Sequence, residues 1–233
     1  MGKSWKNAGK TETAQKKGAL ITKLAREIQV AAKLGGAEPN FNARLRMAID
    51  AAKKSSVTSE TIERAIKKGS GQLEGQSIDE ITYEGYGPHG VGIIVEAQSD
   101  NKNRTASEMR HLFKSHGGNM GETGSVAWMF ERVSALEASK QGQFDPEEEA
   151  IEVGANEVEK SDDHFLFYAA PEELDSVRKA LETRGWKLIS SELSYKAKNT
   201  TTLTEDQKKE VIEFLTEMDE HDDTHRVHVT LAD

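Results

Sequence analysis

Hydrophobic residues recur every three or four positions in three stretches near the start of the chain. Over residues 14–34 this spacing predicts an amphipathic helix. A second helix is expected over residues 40–55, with Phe41 on its inward face. A third begins after Thr58, whose hydroxyl can cap its first turn. The short links between them predict a small helical bundle, and the glycine-rich residues 69–76 are typical of a linker.

The middle of the chain combines strand patterns with one helical pattern. Two apolar runs, residues 78–85 and 91–97, are typical of buried strands. Thr105 and Glu108 have the spacing of a capping box, so we expect a helix to begin at Thr105. The run SVAWMF, residues 125–130, is apolar and aromatic, which predicts another strand.

The later part of the chain repeats this mixture. Asp145 followed by Pro146 is typical of a helix start, and we expect an acidic helix that continues to about Lys160. A strand over residues 164–170, a helix after Pro171 and a strand over residues 186–196 follow. Together these elements predict a self-contained α+β domain.

A last helix and strand lie in residues 204–233, where Thr204 and Gln207 form a second capping box. This pair of elements needs a sheet, and the segment 78–131 has strands but only one helix. We therefore infer that residues 204–233 return to the central domain. The fold class is α+β, with an N-terminal three-helix domain followed by two α+β domains, the third inserted within the second. The predicted domains are residues 1–76, residues 77–132 with 204–233, and residues 133–203.

Charge is distributed unevenly along these elements. Residues 1–70 contain 15 Lys and Arg against 6 Asp and Glu, whereas residues 71–233 contain 16 against 34. The first part therefore has a net charge of +9 and the rest −18, within a total of −9. A basic arm on an acidic body predicts a polyanionic partner that is contacted by one end only.

Two sets of residues are candidates for that contact. The segment before the first helix interleaves lysines with one tryptophan, which favours either a nucleic-acid-binding arm or a solvated tail. Further cations lie off the apolar stripes of the predicted helices. Asn103 and Arg104 lie in the expected loop before the helix at Thr105, where exposed N–H groups attract anions, or else they only tie that loop together. The candidates for nucleic-acid binding are Lys3, Trp5, Lys6, Lys10, Lys16, Lys17, Lys23, Arg26, Arg44, Arg46, Asn103 and Arg104.

Several classes of protein are not expected. No run approaches eighteen apolar residues and no secretory signal precedes the first helix, so we expect a cytoplasmic protein that does not enter a membrane. The chain has no cysteine, and no nucleophile elbow or dinucleotide fingerprint occurs. The histidines at 221, 225 and 228 straddle a predicted turn, and we favour a solvated acidic turn over a metal site. We expect neither catalytic residues nor a cofactor.

Four segments together resemble the YebC/PmpR family, to which the mitochondrial translational activator of cytochrome c oxidase subunit I is also similar. They are DNKNRTASEMRHLFKSHGGNMGETGSVAWMFE, KLAREIQVAAKLGG, IERAIKKGSG and ITYEGYGPHGV. Asn103, Arg104 and Thr105 match the central motif directly. Where the family has its basic N-terminal segment, this chain has residues 2–8, and residues 11–13 interrupt the basic pattern that usually follows.

The resemblance implies a helical first domain and two α+β domains. It also implies a non-enzymatic cytoplasmic protein that regulates gene expression, with DNA-binding transcriptional regulation as our first interpretation. The alternative is a ribosome-associated translation factor that binds ribosomal or transfer RNA. A protein-interaction module that uses the acidic α+β surface is a third hypothesis.

Overall fold

The structure is a computed structural model that describes residues 14–161 and 163–232. Residues 14–130 and 197–232 form one compact unit, and residues 131–161 with 163–196 form a second. Helices pack on two four-stranded sheets, so the predicted α+β fold is confirmed. The boundaries of the three predicted domains stay a prediction.

Three helices open the first unit: α1 (Ala14–Gly35), α2 (Ala43–Lys54) and α3 (Ser59–Gly69). Their apolar stripes meet in a core that includes Ile28, Leu45 and Ile62. The Thr58 hydroxyl accepts a hydrogen bond from the N–H of Thr61, which confirms the predicted cap of α3. Gly69 lets α3 approach α1 closely, because an added Cβ there would lie 2.1 Å from the backbone oxygen of Gln29.

The prediction that Phe41 faces inward is wrong, since this side chain is 91% exposed. The helix begins later than expected because Asn42 caps it. The Asn42 side chain accepts from the N–H of Leu45 at 3.0 Å and donates to the backbone oxygen of Ala31 at 2.8 Å. Phe41 therefore precedes α2 and takes no part in its periodicity.

The first unit also contains a four-stranded sheet and two helices: β1 (Asp79–Tyr86), β2 (Gly92–Ser99), α4 (Lys102–Ser115), β3 (Asn119–Met120), α7 (Glu205–Glu220) and β8 (Thr224–Val229). The sheet is antiparallel, with the strand order β3-β1-β2-β8. Two helices, α4 and α7, contribute to the core on one of its faces, where Phe113 and Phe214 pack against Ile93 and Val95. β8 pairs with β2, so the end of the chain returns to this sheet.

The start of α4 differs from the prediction. Asn101 is the N-cap, because its side chain accepts from the N–H of Arg104 at 3.1 Å. Thr105 lies inside the helix and is buried, and its hydroxyl donates to a carboxylate oxygen of Asp223 at 2.6 Å. Asn103 and Arg104 consequently belong to the first turn of α4 and not to a loop before it. At the other capping box, that of Thr204 and Gln207 at the start of α7, the prediction is confirmed.

The predicted strand over residues 125–130 is also wrong. Residues Ala127–Met129 form a 3-10 turn, and a strand begins only at Phe130. The reason is a buried acid in β1, Glu84, whose carboxylate accepts hydrogen bonds from the N–H groups of Gly124, Val126 and Ala127. Backbone donors that bind one carboxylate cannot also enter a strand ladder.

The second unit consists of β4 (Phe130–Ser139), α5 (Pro146–Val153), β5 (Glu157–Ser161), β6 (His164–Ala169), α6 (Leu174–Thr183) and β7 (Lys187–Ala197). Its sheet has the strand order β5-β6-β4-β7, and its core includes Leu136, Phe167 and Trp186. The predicted acidic helix begins at Pro146 as expected but ends at Val153, not near Lys160. Gly154 follows with a φ of 80°, a left-handed conformation that ends a helix, and the next residues pair with β6.

Within the described part of the chain, no helix has both the length and the apolar character needed to cross a lipid bilayer.

The buried hydroxyl of Thr105 generates a stability prediction. Thr105→Val keeps the shape of the side chain but removes the donor to Asp223, so the free energy of unfolding should fall by about 1 to 3 kcal/mol. Urea denaturation followed by circular dichroism measures the change. Thr105→Ser keeps the hydroxyl and should lose less. Equal stability of the Thr105→Val and unsubstituted proteins would contradict the assigned hydrogen bond.

Candidate nucleic-acid interface

The twelve predicted contact residues fall into three groups. Members of the first group lie outside the described residues: Lys3, Trp5, Lys6, Lys10 and the side chain of Lys16. A second group lies in contacts within the first unit. The third is open to solvent in whole or in part.

Asp223 is the centre of the second group. This residue, immediately before β8, is only 2% exposed. Its Oδ1 lies 2.7 Å from Nη1 of Arg26 on α1, and its Oδ2 lies 2.9 Å from Nη2 of Arg104 on α4. Burial opposes ionisation of this carboxyl, but the hydrogen bonds from Thr105 and Arg104, with the charge of Arg26, lower its pKa to about 2. We call these four residues the Asp223 cluster.

A second ion-pair network involves Arg44 of α2. Its Nε lies 2.7 Å from Oε1 of Glu27, and its Nη2 lies 2.5 Å from Oε1 of Glu80 in β1. Burial acts against ionisation of Glu27, but the hydrogen bond from Arg44 and nearby positive charges lower its pKa overall. Lys23 donates to the backbone oxygen of Asp219. The predicted contacts Lys23, Arg26, Arg44 and Arg104 therefore hold elements of the first unit together.

The remaining predicted contacts are more accessible. Lys17 and Asn103 are exposed, and Arg46 is half-buried. Among residues 14–161 and 163–232, no carboxylate lies within ion-pairing distance of Lys17 or Arg46.

Sequence reasoning missed a set of free cations on the same helices. Lys53 and Lys54 end α2, and Arg64 and Lys67 project from α3, all four exposed. The part of the chain that the structure describes places no carboxylate in ion-pairing range of them. Their position outside the apolar stripes could have identified them as exposed cations in the sequence. Lysines in the last turn of a helix, however, are equally typical of helix-dipole stabilisation. We define the cationic face as Arg46, Lys53, Lys54, Arg64 and Lys67.

The three C-terminal histidines contact different carboxylates. Nε2 of His221 lies 3.2 Å from Glu108, and Nε2 of His228 lies 3.1 Å from Glu96. His225 is different, because its Nε2 is buried and has no hydrogen-bond partner among the described residues, although Glu27 lies 3.4 Å away. No group of three potential metal ligands occurs within the described residues.

Two sequence patterns of one family match this chain. The pattern described as TACO1/YebC protein N-terminal domain matches residues 2–72, and that described as TACO1/YebC second and third domain matches residues 78–231. The chain belongs to the TACO1/YebC family.

Relatives within the TACO1/YebC family agree in sequence and in structure. A protein of Bdellovibrio bacteriovorus is 66% identical over 99% of this chain and 100% of its own length. One from Thermoanaerobacter pseudethanolicus is 42% identical over 91% of this chain and 88% of its own. Both bear the name "probable transcriptional regulatory protein". The crystal structure of a conserved hypothetical protein from Aquifex aeolicus superposes with a TM-score of 0.87 at 42% identity, covering 97% of this chain and 94% of that one.

The family assignment confirms the resemblance inferred from the four sequence segments. In the central segment, the matched residues Arg104 and Thr105 belong to the Asp223 cluster. At least part of this motif therefore has a structural role in the first unit.

His225 generates a pH prediction. Burial, followed by the positive charge of Arg226, lowers its pKa from 6.5 to about 4 in the folded protein. The neutral imidazole is therefore favoured by folding, so its contribution to stability is complete above pH 6.5 and is lost as the pH falls towards 4. The free energy of unfolding should decrease by about 3 kcal/mol over this range.

Urea denaturation at a series of pH values measures this decrease. His225→Gln should flatten the dependence above pH 4.5, whereas His111→Gln, at an exposed position on α4, should leave it unchanged. The same slope in both variants would show that another group is responsible.

Proposed function

We propose that this protein is a non-enzymatic regulator of gene expression that binds nucleic acid through the cationic face, with duplex DNA as the first target. The names of its relatives support a regulatory role in transcription. A cytoplasmic location accords with such a role. RNA, including ribosomal or transfer RNA, is the alternative target of the same surface.

The observation that carries the proposal is the accessibility of the cationic face. Of the six predicted cations whose side chains the structure describes, four are held by carboxylates or carbonyl groups of the first unit. The cations of the cationic face are not. Accessible Lys and Arg side chains supply the electrostatic part of nucleic-acid affinity, because each one that neutralises a phosphate releases condensed counterions. The helical bundle therefore presents its remaining positive charge where a polyanion can reach it.

The acidic remainder of the chain supports a defined orientation of the bound nucleic acid. Residues 71–233 have a net charge of −18. At physiological ionic strength this charge repels a polyanion at distances below about 8 Å and has little effect beyond that. A nucleic acid should approach the bundle and stay away from most of the rest.

The proposed contacts are to the backbone and not to base edges. Helix α3 carries Glu60 and Glu63 on the side of Arg64 and Lys67, which limits how closely its flank can follow a groove. Backbone contacts set the register and orientation of a protein but give little sequence information. We therefore expect modest sequence preference and a strong dependence of affinity on salt.

The test compares variants that remove four or five positive charges from different places. Binding of a fluorescent 20-base-pair DNA duplex is measured between 50 and 300 mM KCl by anisotropy. The face variant carries K53Q, K54Q, R64Q and K67Q. Its matched control carries K160Q, K179Q, K187Q and K209Q, and an arm variant carries K3Q, K6Q, K10Q, K16Q and K17Q.

The face variant should lose at least tenfold in affinity, and its log–log salt slope should be shallower by about 3 to 4, since each phosphate contact contributes about 0.9. The control should bind like the unsubstituted protein. Loss in the arm variant alone would assign the contact to the N-terminal segment. Equal affinity of all four proteins would refute the cationic face, and tight binding only to an RNA duplex would favour the alternative target.

A further inference from the structure

An aromatic side chain in the first unit is exposed although hydrogen bonds anchor the loop that carries it. Trp128 is 65% exposed. It lies in a segment of residues 121–129, between β3 and β4, which we call the indole loop. An exposed indole leaves a large apolar surface in contact with water, which is unfavourable. A loop that holds an indole in this position is therefore a candidate binding site.

The indole loop is anchored by a buried charge. The carboxylate of Glu84 accepts from the N–H groups of Gly124 at 2.8 Å, Val126 at 3.0 Å and Ala127 at 2.8 Å. A buried carboxylate is tolerated only when hydrogen bonds replace its hydration, and here the loop backbone supplies them. Val126 is fully buried beside it. The loop therefore has a fixed shape before any ligand arrives.

The polar edge of the indole is already used. Nε1 of Trp128 donates to the backbone oxygen of Ser125 at 3.1 Å, and the hydroxyl of Tyr86 donates to the same oxygen at 3.2 Å. These bonds fix the orientation of the ring. What Trp128 can offer a ligand is consequently the π surface of the ring, which suits stacking and not hydrogen-bond readout.

The backbone of Lys198 lies beside the end of the indole loop. The N–H of Lys198 donates to the backbone oxygen of Met129 at 2.9 Å, which places residue 198 beside the end of the indole loop. The Lys198 side chain is exposed. Within the described ranges, no carboxylate is in ion-pairing distance of it. Proteins bind single-stranded nucleic acid by combining aromatic rings, on which bases stack, with cations along the path of the backbone.

The surroundings of Trp128 favour a base over a protein surface. The other exposed large apolar residues of this unit are Leu20, Leu34, Phe41 and Leu73. All of them belong to the helical bundle and its linker, which contact the far end of β1. Arg44 of the bundle binds Glu80 in β1, whereas the indole loop binds Glu84 in the same strand. These two residues are four positions apart, which is about 13 Å along a strand. A protein interface needs a contiguous apolar patch, whereas stacking needs only one ring.

We propose that the indole loop binds an unpaired nucleobase, which stacks on Trp128 while Lys198 contacts the adjoining phosphate. This inference rests on the proposed function and deepens it. The cationic face binds the phosphate backbone of any nucleic acid. The indole loop binds only strands that have unpaired bases, and so distinguishes them from a fully paired duplex.

The test uses oligo(dT) and oligo(U) of 12 nucleotides, together with a DNA duplex of the same length. Trp128→Ala should weaken binding of both single strands by roughly 5- to 100-fold and leave duplex binding unchanged, because one stacked base is lost. Trp128→Phe should restore most of the affinity. Phe41→Ala removes another exposed ring and serves as the matched control. Lys198→Gln should reduce the single-strand salt slope by about 0.7.

Tryptophan fluorescence gives an independent readout. In a Trp5→Phe background the remaining tryptophans are Trp128 and the buried Trp186. Stacking should quench the emission when oligo(dT) is added, and the quenching should disappear in the Trp5→Phe, Trp128→Phe double variant. Binding without quenching would overturn the stacked geometry.

The outcomes separate the two proposals. If Trp128→Ala binds single strands like the unsubstituted protein while the face variant loses duplex binding, the proposal for the indole loop is refuted and that for the cationic face stands. If Trp128→Ala weakens single-strand binding while the face variant still binds duplex normally, the indole loop stands without the cationic face. If the unsubstituted protein binds none of the three probes, both proposals fall.

Discussion

The first unit depends on one buried carboxylate. Asp223 receives the guanidinium of Arg26 from α1, that of Arg104 from α4 and the hydroxyl of Thr105, and so connects the helical bundle to both a helix and a strand of the central sheet. A buried carboxylate is tolerated when hydrogen bonds and ion pairs replace its hydration, and removing the charged partner of a buried ion pair typically costs about 3 to 5 kcal/mol. The position of the bundle relative to the sheet is therefore specified by a polar contact and not only by apolar packing.

This arrangement changes the meaning of the uneven charge distribution. The positive excess of residues 1–70 is not one open surface, because Arg26, Lys33 and Arg44 are neutralised by carboxylates and Lys23 is bound to a carbonyl group. Part of the positive charge of this unit therefore forms ion pairs between its own elements. The positive charge that remains exposed on α2 and α3 is smaller than the total for residues 1–70, and the residues that carry it are better defined than the sequence suggested.

Local signals and distant partners explain which sequence predictions succeeded. The spans of α1 and α3, and the caps at Thr58 and Thr204, depend on residues within a few positions and were predicted correctly. The errors have a different origin. Thr105 resembles a cap but bonds to Asp223, 118 positions later, and the segment near Val126 resembles a strand but binds Glu84, 42 positions earlier. Neither partner is visible to a pattern of local spacing. For the same reason the charged side chains could be nominated as contacts, but not sorted into paired and free ones.

The pairing of β8 with β2 has a consequence for the newly made chain. One side of β2, whose residues are almost all buried in the finished unit, has no neighbour until the segment after residue 224 has been synthesised. The whole second unit is made in between. An apolar strand with an open edge is prone to pair with other chains, so a nascent or truncated product should depend on chaperones at this stage. The insertion thus lengthens the interval during which this protein is vulnerable to aggregation.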